Sequence, residues 1–151
     1  MIRVLFVCHG NICRSPMAEF VFKDMVNKRG LEDNFLIASA ATSSEEIGNA
    51  VHYGTRNKLK KYGILVEGKY AVRLEKQDYE KYDYLIGMDQ INVTNMRRII
   101  GADPLNKLSR LLEFAGEHRD IADPWYTGDF DRTYDDVVKG CKALLTNILK
   151  K

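Results

Sequence analysis

The amino-terminal residues Ile2–Val7 form a short apolar run that leads directly into Cys8-His9-Gly10-Asn11-Ile12-Cys13-Arg14-Ser15-Pro16. A run of this length is too short to span a membrane and is typical of a buried β-strand. Ser15-Pro16 is typical of a helix start, because serine caps helix amino termini and proline fits the first turn. The sequence therefore predicts a strand, a tight loop and a helix, which Gly30 ends.

Short apolar runs alternate with amphipathic segments along the rest of the chain. Further strands are predicted at Phe35–Ala40, Tyr84–Met88 and Leu108–Leu112, and further helices at Thr55–Tyr62, Gln90–Ile100 and Thr133–Leu149. Strands separated by helices favour an α/β fold, with a parallel sheet that helices cover on both faces. Ligands of such sheets bind at the carboxyl ends of the strands, which is where Cys8 follows the first strand.

Composition limits the class of protein. A chain of 151 residues predicts one domain, residues 1–151, and 23 Lys and Arg against 21 Asp and Glu predict neither a nucleic-acid nor a membrane partner. Three cysteines are too few for a disulfide scaffold. No signal-peptide cleavage site precedes Cys8, so we expect a cytoplasmic protein with reduced thiols, and we expect it to be a monomer.

The loop after the first strand carries the residue types needed to bind and attack a phosphate group. Backbone N–H groups at a helix start and in a curled loop favour a bound anion. Gly10 and Asn11 tolerate the left-handed backbone that curling needs, and Arg14 offers a planar fork for phosphate oxygens. The same positive field favours a thiolate at Cys8, to which Ser15 is expected to donate a hydroxyl hydrogen bond while it caps the helix.

A metal site and a purely structural thiol are the alternatives for this loop. Cys8, His9 and Cys13 cluster in sequence, but no Cys-x2-Cys or His-x3-His set accompanies them. The other histidines, His52 and His118, are isolated in sequence. We therefore expect no metal and no cofactor, and we expect the backbone of His9 to matter more than its ring.

The segment Cys8–Glu19 resembles the signature of the low-molecular-weight protein tyrosine phosphatases, and Asp123–Tyr126 resembles the aspartate loop of that family. Ser39–Thr42, the turn at Gly63-Ile64 and the helix Thr133–Leu145 also fall where the family has counterparts. The resemblance implies a single domain with a four-stranded parallel sheet, helices on both faces and a phosphate-binding loop after the first strand. It implies hydrolysis of phosphotyrosine in proteins, and of aryl phosphates, through a cysteinyl phosphate.

The resemblance also implies a role for each site residue. Cys8 is the nucleophile, Arg14 binds the phosphate and stabilises the transition state, and Asp123 is general acid and then general base. Phosphate binding is expected from the loop residues His9, Gly10, Asn11, Ile12, Cys13 and Ser15, with inorganic phosphate as product and inhibitor. Only the resemblance distinguishes Asp123 from the many acids around it, which are typical of a solvated surface.

A substrate rim is predicted at Glu45, Trp125 and Tyr126, where aromatic faces contact the phosphotyrosine ring. Glu45 stands where the family often has an aromatic residue, and the match over residues 43–55 leaves its position open by a residue or two. An acid at the mouth is expected to disfavour acidic peptides and to favour basic flanking residues. The alternative for Trp125 is packing in the core.

The remaining thiols have different interpretations. In the family, the cysteine equivalent to Cys13 traps the oxidised nucleophile as a reversible disulfide, whereas a small buried residue under the loop is an equally consistent role. Cys141 lies on the apolar stripe of the last helix, which predicts packing in the core.

Three other functions use a loop of this kind. Thioredoxin-coupled arsenate reductase needs further redox cysteines, which Tyr82–Asp89 lacks. A protein arginine phosphatase has threonine where this chain has Ile12, and an apolar side chain suits an aromatic substrate. A phosphoryl carrier lacks the acid that this chain has at Asp123-Pro124. Phosphotyrosine hydrolysis is therefore the predicted function.

Overall fold

Four parallel strands form the centre of the computed structural model, which describes all residues from Met1 to Lys151. The strands are β1 (Ile2–Cys8), β2 (Phe35–Ala41), β3 (Tyr84–Gly87) and β4 (Leu108–Arg110). Their order across the sheet is β2-β1-β3-β4, and every neighbouring pair is parallel. The predicted four-stranded parallel sheet is therefore confirmed, with β1 and its loop at an inner position.

Six helices connect and cover the strands. They are α1 (Arg14–Lys28), α2 (Tyr53–Lys60), α3 (Asp78–Lys81), α4 (Gln90–Ile100), α5 (Pro124–Thr127) and α6 (Phe130–Leu149), with 3-10 turns at Glu32–Asn34 and Leu111–Ala115. None of the helices combines the length and the apolar character that crossing a membrane requires.

Strand β1 explains why the sheet is covered on both faces. Its residues Val4, Phe6 and Cys8 belong to the core that α1 and α6 share, whereas Leu5 and Val7 belong to the core beneath α4. Side chains alternate between the two faces of a strand, so an unbroken apolar run has to be buried on both. The predicted helices on both faces are confirmed.

Several element boundaries differ from the prediction: β1 ends at Cys8, β2 at Ala41 and β3 at Gly87, and α2 spans Tyr53–Lys60 rather than Thr55–Tyr62. The strand expected over Leu108–Leu112 ends at Arg110, because the chain continues from Leu111 as a 3-10 turn. The last helix begins at Phe130 rather than at Thr133, because the carboxylate of Asp129 caps it by accepting the Arg132 N–H at 2.9 Å. Helices α3 and α5 have four residues each, too few to show a helical period in sequence.

The start of α1 corrects the expected role of Ser15 as a helix cap. The helix begins at Arg14, and Cys13 occupies the cap position without a side-chain hydrogen bond. Ser15 therefore lies inside the first turn, where its hydroxyl contacts the sulfur of Cys8. The capping prediction is wrong because the loop enters the helix earlier than Ser15-Pro16 indicates.

Candidate active site

Cys8 ends β1, and the following seven residues curl around its sulfur. Its Sγ lies 3.0 Å from Ser15 Oγ, 3.3 Å from the backbone nitrogen of Asn11 and 3.5 Å from that of Ser15. The hydroxyl contact predicted between Ser15 and Cys8 is therefore present. Backbone N–H groups that converge in this way form a site for an anion. The loop thus surrounds its thiol with hydrogen-bond donors.

Asn11 holds the loop in this shape. Its φ of 59° is the left-handed conformation predicted for it. Its side-chain Nδ2 donates to Ser15 Oγ at 2.8 Å and to Ser39 Oγ at 2.9 Å, and its Oδ1 accepts the Val72 N–H at 3.1 Å. Because Asn11 is buried, these three bonds satisfy its side chain and join the loop to β2 and to residue 72.

Gly10 has a different role from the one predicted. It does not adopt a positive φ, so the expectation of a left-handed backbone at this position is wrong. A Cβ at residue 10 would lie 3.3 Å from Glu46 Cγ, which is tighter than an ordinary contact. The glycine instead leaves space for the side chain of Glu46 to lie over the loop.

Arg14 is fixed from two sides. It is 3 % exposed, and its Nη1 donates to Asp89 Oδ2 at 2.7 Å and to the Ile121 carbonyl at 2.8 Å. Burial lowers the pKa of Arg14, but the neighbouring thiol and two carboxylates raise it more, so that this pKa lies above its ordinary value. Arg14 therefore keeps its charge although it is buried.

Asp123 joins the site from the other end of the chain. Its Oδ1 accepts the Trp125 N–H at 3.0 Å and so caps α5, and its Oδ2 lies 3.5 Å from Arg14 Nη2. The side chain is partly exposed, with one oxygen directed to the arginine. The fold therefore brings the predicted acid to the predicted phosphate-binding arginine.

A cavity of about 110 Å³ joins these groups. It is lined by Cys8, His9, Gly10, Ile12, Cys13, Arg14, Glu45, Glu46, Asp123, Trp125 and Tyr126. Asn11 and Ser15 are not among the lining residues and lie buried in the loop. The predicted nucleophile, arginine and acid thus face one space, and the three predicted rim residues stand at the same cavity.

The mouth of the cavity is open and acidic. Trp125 is 56 % exposed and Tyr126 is 82 % exposed, so core packing of Trp125 is excluded. The ring of His9, expected to matter less than its backbone, contacts Glu45 with 2.9 Å between Nε2 and Oε2. Glu46 is half-buried beside Glu45, and the sequence reasoning missed it because only one rim acid was expected there.

The other two thiols are buried. Burial, followed by the nearby Cys8 and Asp123, raises the pKa of Cys13 to about 12. Cys141 is fully buried in the core, as predicted, and burial raises its pKa well above the ordinary range. All three cysteines are free thiols, and no group of three or more His, Cys, Asp or Glu side chains is arranged to hold a metal ion.

Polar residues that the sequence reasoning did not assign to the site hydrogen-bond to Asn11 and Arg14 or to the partners of these residues. Ser39 Oγ donates to Glu19 Oε1 at 2.6 Å, and the Ser39 carbonyl accepts from Lys69 Nζ at 2.8 Å. Asp89 follows β3 and, besides binding Arg14, accepts the Asn92 N–H at 2.7 Å. One signal for Asp89 is its place after a strand, because carboxyl ends of parallel strands share one edge of the sheet.

Fold and site together define a small α/β phosphatase with a cysteine-containing loop after its first strand. A family model described as low molecular weight phosphotyrosine protein phosphatase matches residues 3–151. The chain belongs to this family, which confirms the resemblance carried by Cys8–Glu19 and Asp123–Tyr126. It is accordingly a protein-tyrosine phosphatase, the enzyme class that the sequence predicts.

Similar proteins cover almost the whole chain. YfkJ of Bacillus subtilis, named a low molecular weight protein-tyrosine-phosphatase, is 40 % identical over 153 residues, which cover 100 % of this chain and 98 % of YfkJ. The crystal structure of YfkJ has a TM-score of 0.96 at 41 % identity and covers 99 % of this chain and 96 % of YfkJ.

Two further solved structures share the fold. SP-PTP, a low molecular weight protein tyrosine phosphatase from Streptococcus pyogenes, has a TM-score of 0.87 at 42 % identity and covers 97 % of this chain and 93 % of SP-PTP. DARP, a Drosophila arginine phosphatase, has a TM-score of 0.89 at 28 % identity and covers 97 % of this chain and 98 % of DARP. Because one fold includes enzymes named for two phosphoamino acids, the substrate has to be argued from the site.

Proposed function

We propose that this chain hydrolyses phosphotyrosine in proteins, and aryl phosphates generally, through a cysteinyl-phosphate intermediate. The observation that carries the proposal is the cavity of about 110 Å³ onto which Cys8, Arg14 and Asp123 all open. A thiol, a fixed cation and a carboxyl group are the nucleophile, the phosphate ligand and the proton donor that this reaction needs. Membership of the family supports the same activity.

In the first step, the phosphate group binds between the loop N–H groups and Arg14. The Cys8 thiolate attacks phosphorus, so that an S–P bond forms while the bond from phosphorus to the phenolic oxygen breaks. Asp123 gives its proton to that oxygen, which needs one because a phenol has a pKa of about 10. Arg14 and the loop N–H groups stabilise the charge on the transferring phosphoryl group, since they are oriented before the substrate binds.

In the second step, water replaces the thiolate on phosphorus. The carboxylate of Asp123 removes a proton from the attacking water, the S–P bond breaks, and its electron pair returns to the Cys8 sulfur. Ser15 Oγ, 3.0 Å from that sulfur, donates a hydrogen bond to the departing thiolate. Inorganic phosphate is the product, and it competes with the substrate because it binds the same donors.

Turnover of an aryl phosphate without added metal tests this proposal. We expect Cys8→Ser to be inactive and Asp123→Asn to be slower by about 10²–10⁴-fold, the usual contribution of a general acid. Cys141→Ala is the matched control, because it removes a thiol that lies in the core, away from the cavity. Retained activity in Cys8→Ser, or a requirement for a divalent metal, would contradict the mechanism.

Hydrolysis of phosphoarginine is the second candidate, and one observation favours it. The carboxylates of Glu45 and Glu46 stand at the cavity, where they suit a guanidinium group. By contrast, Ile12 lines the same cavity and gives it an apolar wall, which suits the aromatic ring of phosphotyrosine. Peptides of one sequence that carry either phosphotyrosine or phosphoarginine decide between the two, and a clear preference for phosphoarginine would overturn the proposal.

A further inference from the structure

His52 joins the phosphate-binding loop to the start of α2. Its backbone N–H donates to the Ile12 carbonyl at 2.9 Å. Its ring Nδ1 accepts the Gly54 N–H at 3.0 Å and so caps the helix. Because Nδ1 accepts, the neutral ring carries its proton on Nε2. His52 was unassigned by the sequence pattern, yet it contacts the loop through its backbone and a helix through its ring.

The same ring is surrounded by aromatic side chains. It stacks on Tyr53 with ring centres 4.4 Å apart and on Phe130 with centres 5.4 Å apart and planes 12° apart. It meets Trp125 edge to face at 5.6 Å and 74°. Aromatic pairs at these distances and angles attract each other beyond the area that they bury. His52 is therefore the centre of an aromatic cluster formed by Tyr53, Trp125 and Phe130.

Gly54 shows that the fold makes space for this cluster. A Cβ at residue 54 would lie 2.2 Å from Phe130 Cζ, a distance that real contacts do not reach. Only glycine allows the Phe130 ring to lie directly on the helix backbone and to stack on His52. The packing of Phe130 is thus specified by Gly54 in α2 and by His52, the residue that caps this helix.

The cluster contacts the chain at two points just after the proposed acid. Trp125 lies in α5, two residues after Asp123, and Phe130 is the first residue of α6. Trp125 donates its N–H to Asp123 Oδ1 at 3.0 Å, although its ring is 56 % exposed. The ring contact that the segment makes through Trp125 is with His52. A short exposed segment is in this way fixed to the loop that holds the nucleophile.

We propose that His52 is a positioning residue that keeps Asp123 over the phosphate-binding loop, through ring contacts with Trp125 and Phe130. This inference rests on the proposed role of Asp123 as general acid. Capping of α2 alone would not need an aromatic ring, because asparagine and aspartate cap helices as well as any residue does. Helix capping therefore does not explain why residue 52 has an aromatic ring, whereas contacts with Trp125 and Phe130 do.

Two substitutions separate the ring from the cap. His52→Asn retains an acceptor for the Gly54 N–H and removes the ring, whereas His52→Phe retains a ring and removes the acceptor. We expect His52→Asn to misplace the acid, and we expect His52→Phe to keep the acid in place but to lower the melting temperature by about 2–4 °C through loss of the cap. Circular dichroism establishes that each variant is folded.

The catalytic measurement is the dependence of kcat/KM on the basicity of the leaving oxygen. For phenyl phosphate the general acid is needed, whereas for p-nitrophenyl phosphate the leaving oxygen is a much weaker base and needs it less. We expect the ratio of the two kcat/KM values to change about ten-fold in His52→Asn, in the direction that disfavours phenyl phosphate. In His52→Phe we expect the ratio to stay within about two-fold of wild type.

Trp125 supplies an independent readout, since it is the only tryptophan of the chain. We expect its emission to shift to longer wavelength and its quenching by acrylamide to increase in His52→Asn, but not in His52→Phe. The proposal would be overturned if folded His52→Asn kept the wild-type ratio of the two kcat/KM values, whether or not both values fell. Unchanged Trp125 emission in that variant would confirm that the segment had not moved. If the wild type hydrolyses neither ester, the proposed function is wrong, and the Trp125 emission alone then decides whether His52 holds this segment.

Discussion

The floor and the mouth of the cavity are built in opposite ways. At the floor, Arg14 lines the cavity and Asn11 lies buried in the loop beneath it; both are nearly inaccessible to solvent, and each makes several hydrogen bonds. At the mouth, Trp125 and Tyr126 are exposed, and the carboxylate of Glu45 pairs with the exposed ring of His9. The floor is held by many directed bonds, whereas each mouth residue is held by few.

Because of this difference, we expect substitutions in the floor and substitutions in the mouth to affect catalysis in different ways. A buried hydrogen-bonded network has one geometry, because leaving any member unpaired costs about 1–3 kcal/mol. Exposed charges interact weakly and are screened by salt. We therefore expect changes to the floor to reduce turnover of every phosphate ester alike, and changes to the mouth to alter the choice among substrates.

Among the changes that compare the floor with the mouth, Arg14→Lys is expected to have the largest effect. A single ammonium group cannot hold Asp89, the Ile121 carbonyl and two phosphate oxygens, so kcat/KM should fall by about 10²–10³-fold. The loss should be equal for acidic, neutral and basic phosphopeptides. Arg3→Lys is the matched control, because Arg3 pairs with Asp83 near the other end of β1. A loss confined to one class of peptide would show that the floor also selects flanking residues.

Thiol alkylation separates two cysteines of the floor. Cys8 is 3 % and Cys13 is 4 % exposed, so accessibility does not distinguish them. Because the pKa of Cys13 is raised to about 12, this thiol stays protonated at lower pH and becomes a thiolate only as the pH approaches 12. At pH 7.5 we expect iodoacetamide to modify Cys8 at least about a hundred-fold faster, as measured by peptide mass spectrometry. Comparable labelling of Cys13 would contradict this expectation.

Gly10→Ala tests the close approach between Gly10, in the loop at the floor, and Glu46, at the mouth. The added methyl group would meet Glu46 Cγ at 3.3 Å, which displaces the flexible acid rather than the loop. We expect kcat/KM for phenyl phosphate to fall by about two- to five-fold, as for a small steric shift. Glu46→Ala in the same chain should restore it. If the double variant is no better than Gly10→Ala, the methyl group disturbs the loop itself.

Glu45→Gln is expected to have the smallest effect. Wild type should prefer a phosphotyrosine peptide with lysine beside the phosphotyrosine over one with glutamate, and the variant should lose about two-fold of that preference. The difference should decrease in high salt. Glu32→Gln carries the same charge change before β2 starts, at the other end of the strand. An equal change in Glu32→Gln would mean that net charge, rather than the mouth, sets the preference.

Local signals made the floor predictable. Ile2–Val7 and the loop after it lie in one stretch of sequence, so the strand, the curled loop and the proposed roles of Cys8 and Arg14 follow from neighbouring residues. Gln90–Ile100 is a helix with the predicted ends, because Asp89 begins it with a capping box and Gly101 follows it with a positive φ.

The mouth and its supports depended on contacts between distant segments. Glu46 lies beside Gly10, the His52 ring contacts Trp125, and neither pairing leaves a periodic pattern in sequence. Asp123 was recognised only by resemblance, since nothing local distinguishes it from the acids around it. Sequence thus predicts the loop to which we assign the chemistry, whereas the tertiary fold determines which residues surround that loop.

The left-handed backbone of Asn11 also has a thermodynamic consequence for ligand binding. A glycine would adopt this φ with less strain, but it would lack the three side-chain bonds that fix the loop to Ser15, Ser39 and residue 72. The loop has its donors converged before any ligand arrives, so binding an anion loses little conformational entropy. Calorimetry of phosphate binding should therefore show a smaller entropic penalty in the wild type than in Asn11→Gly, whose loop must become ordered when the anion binds.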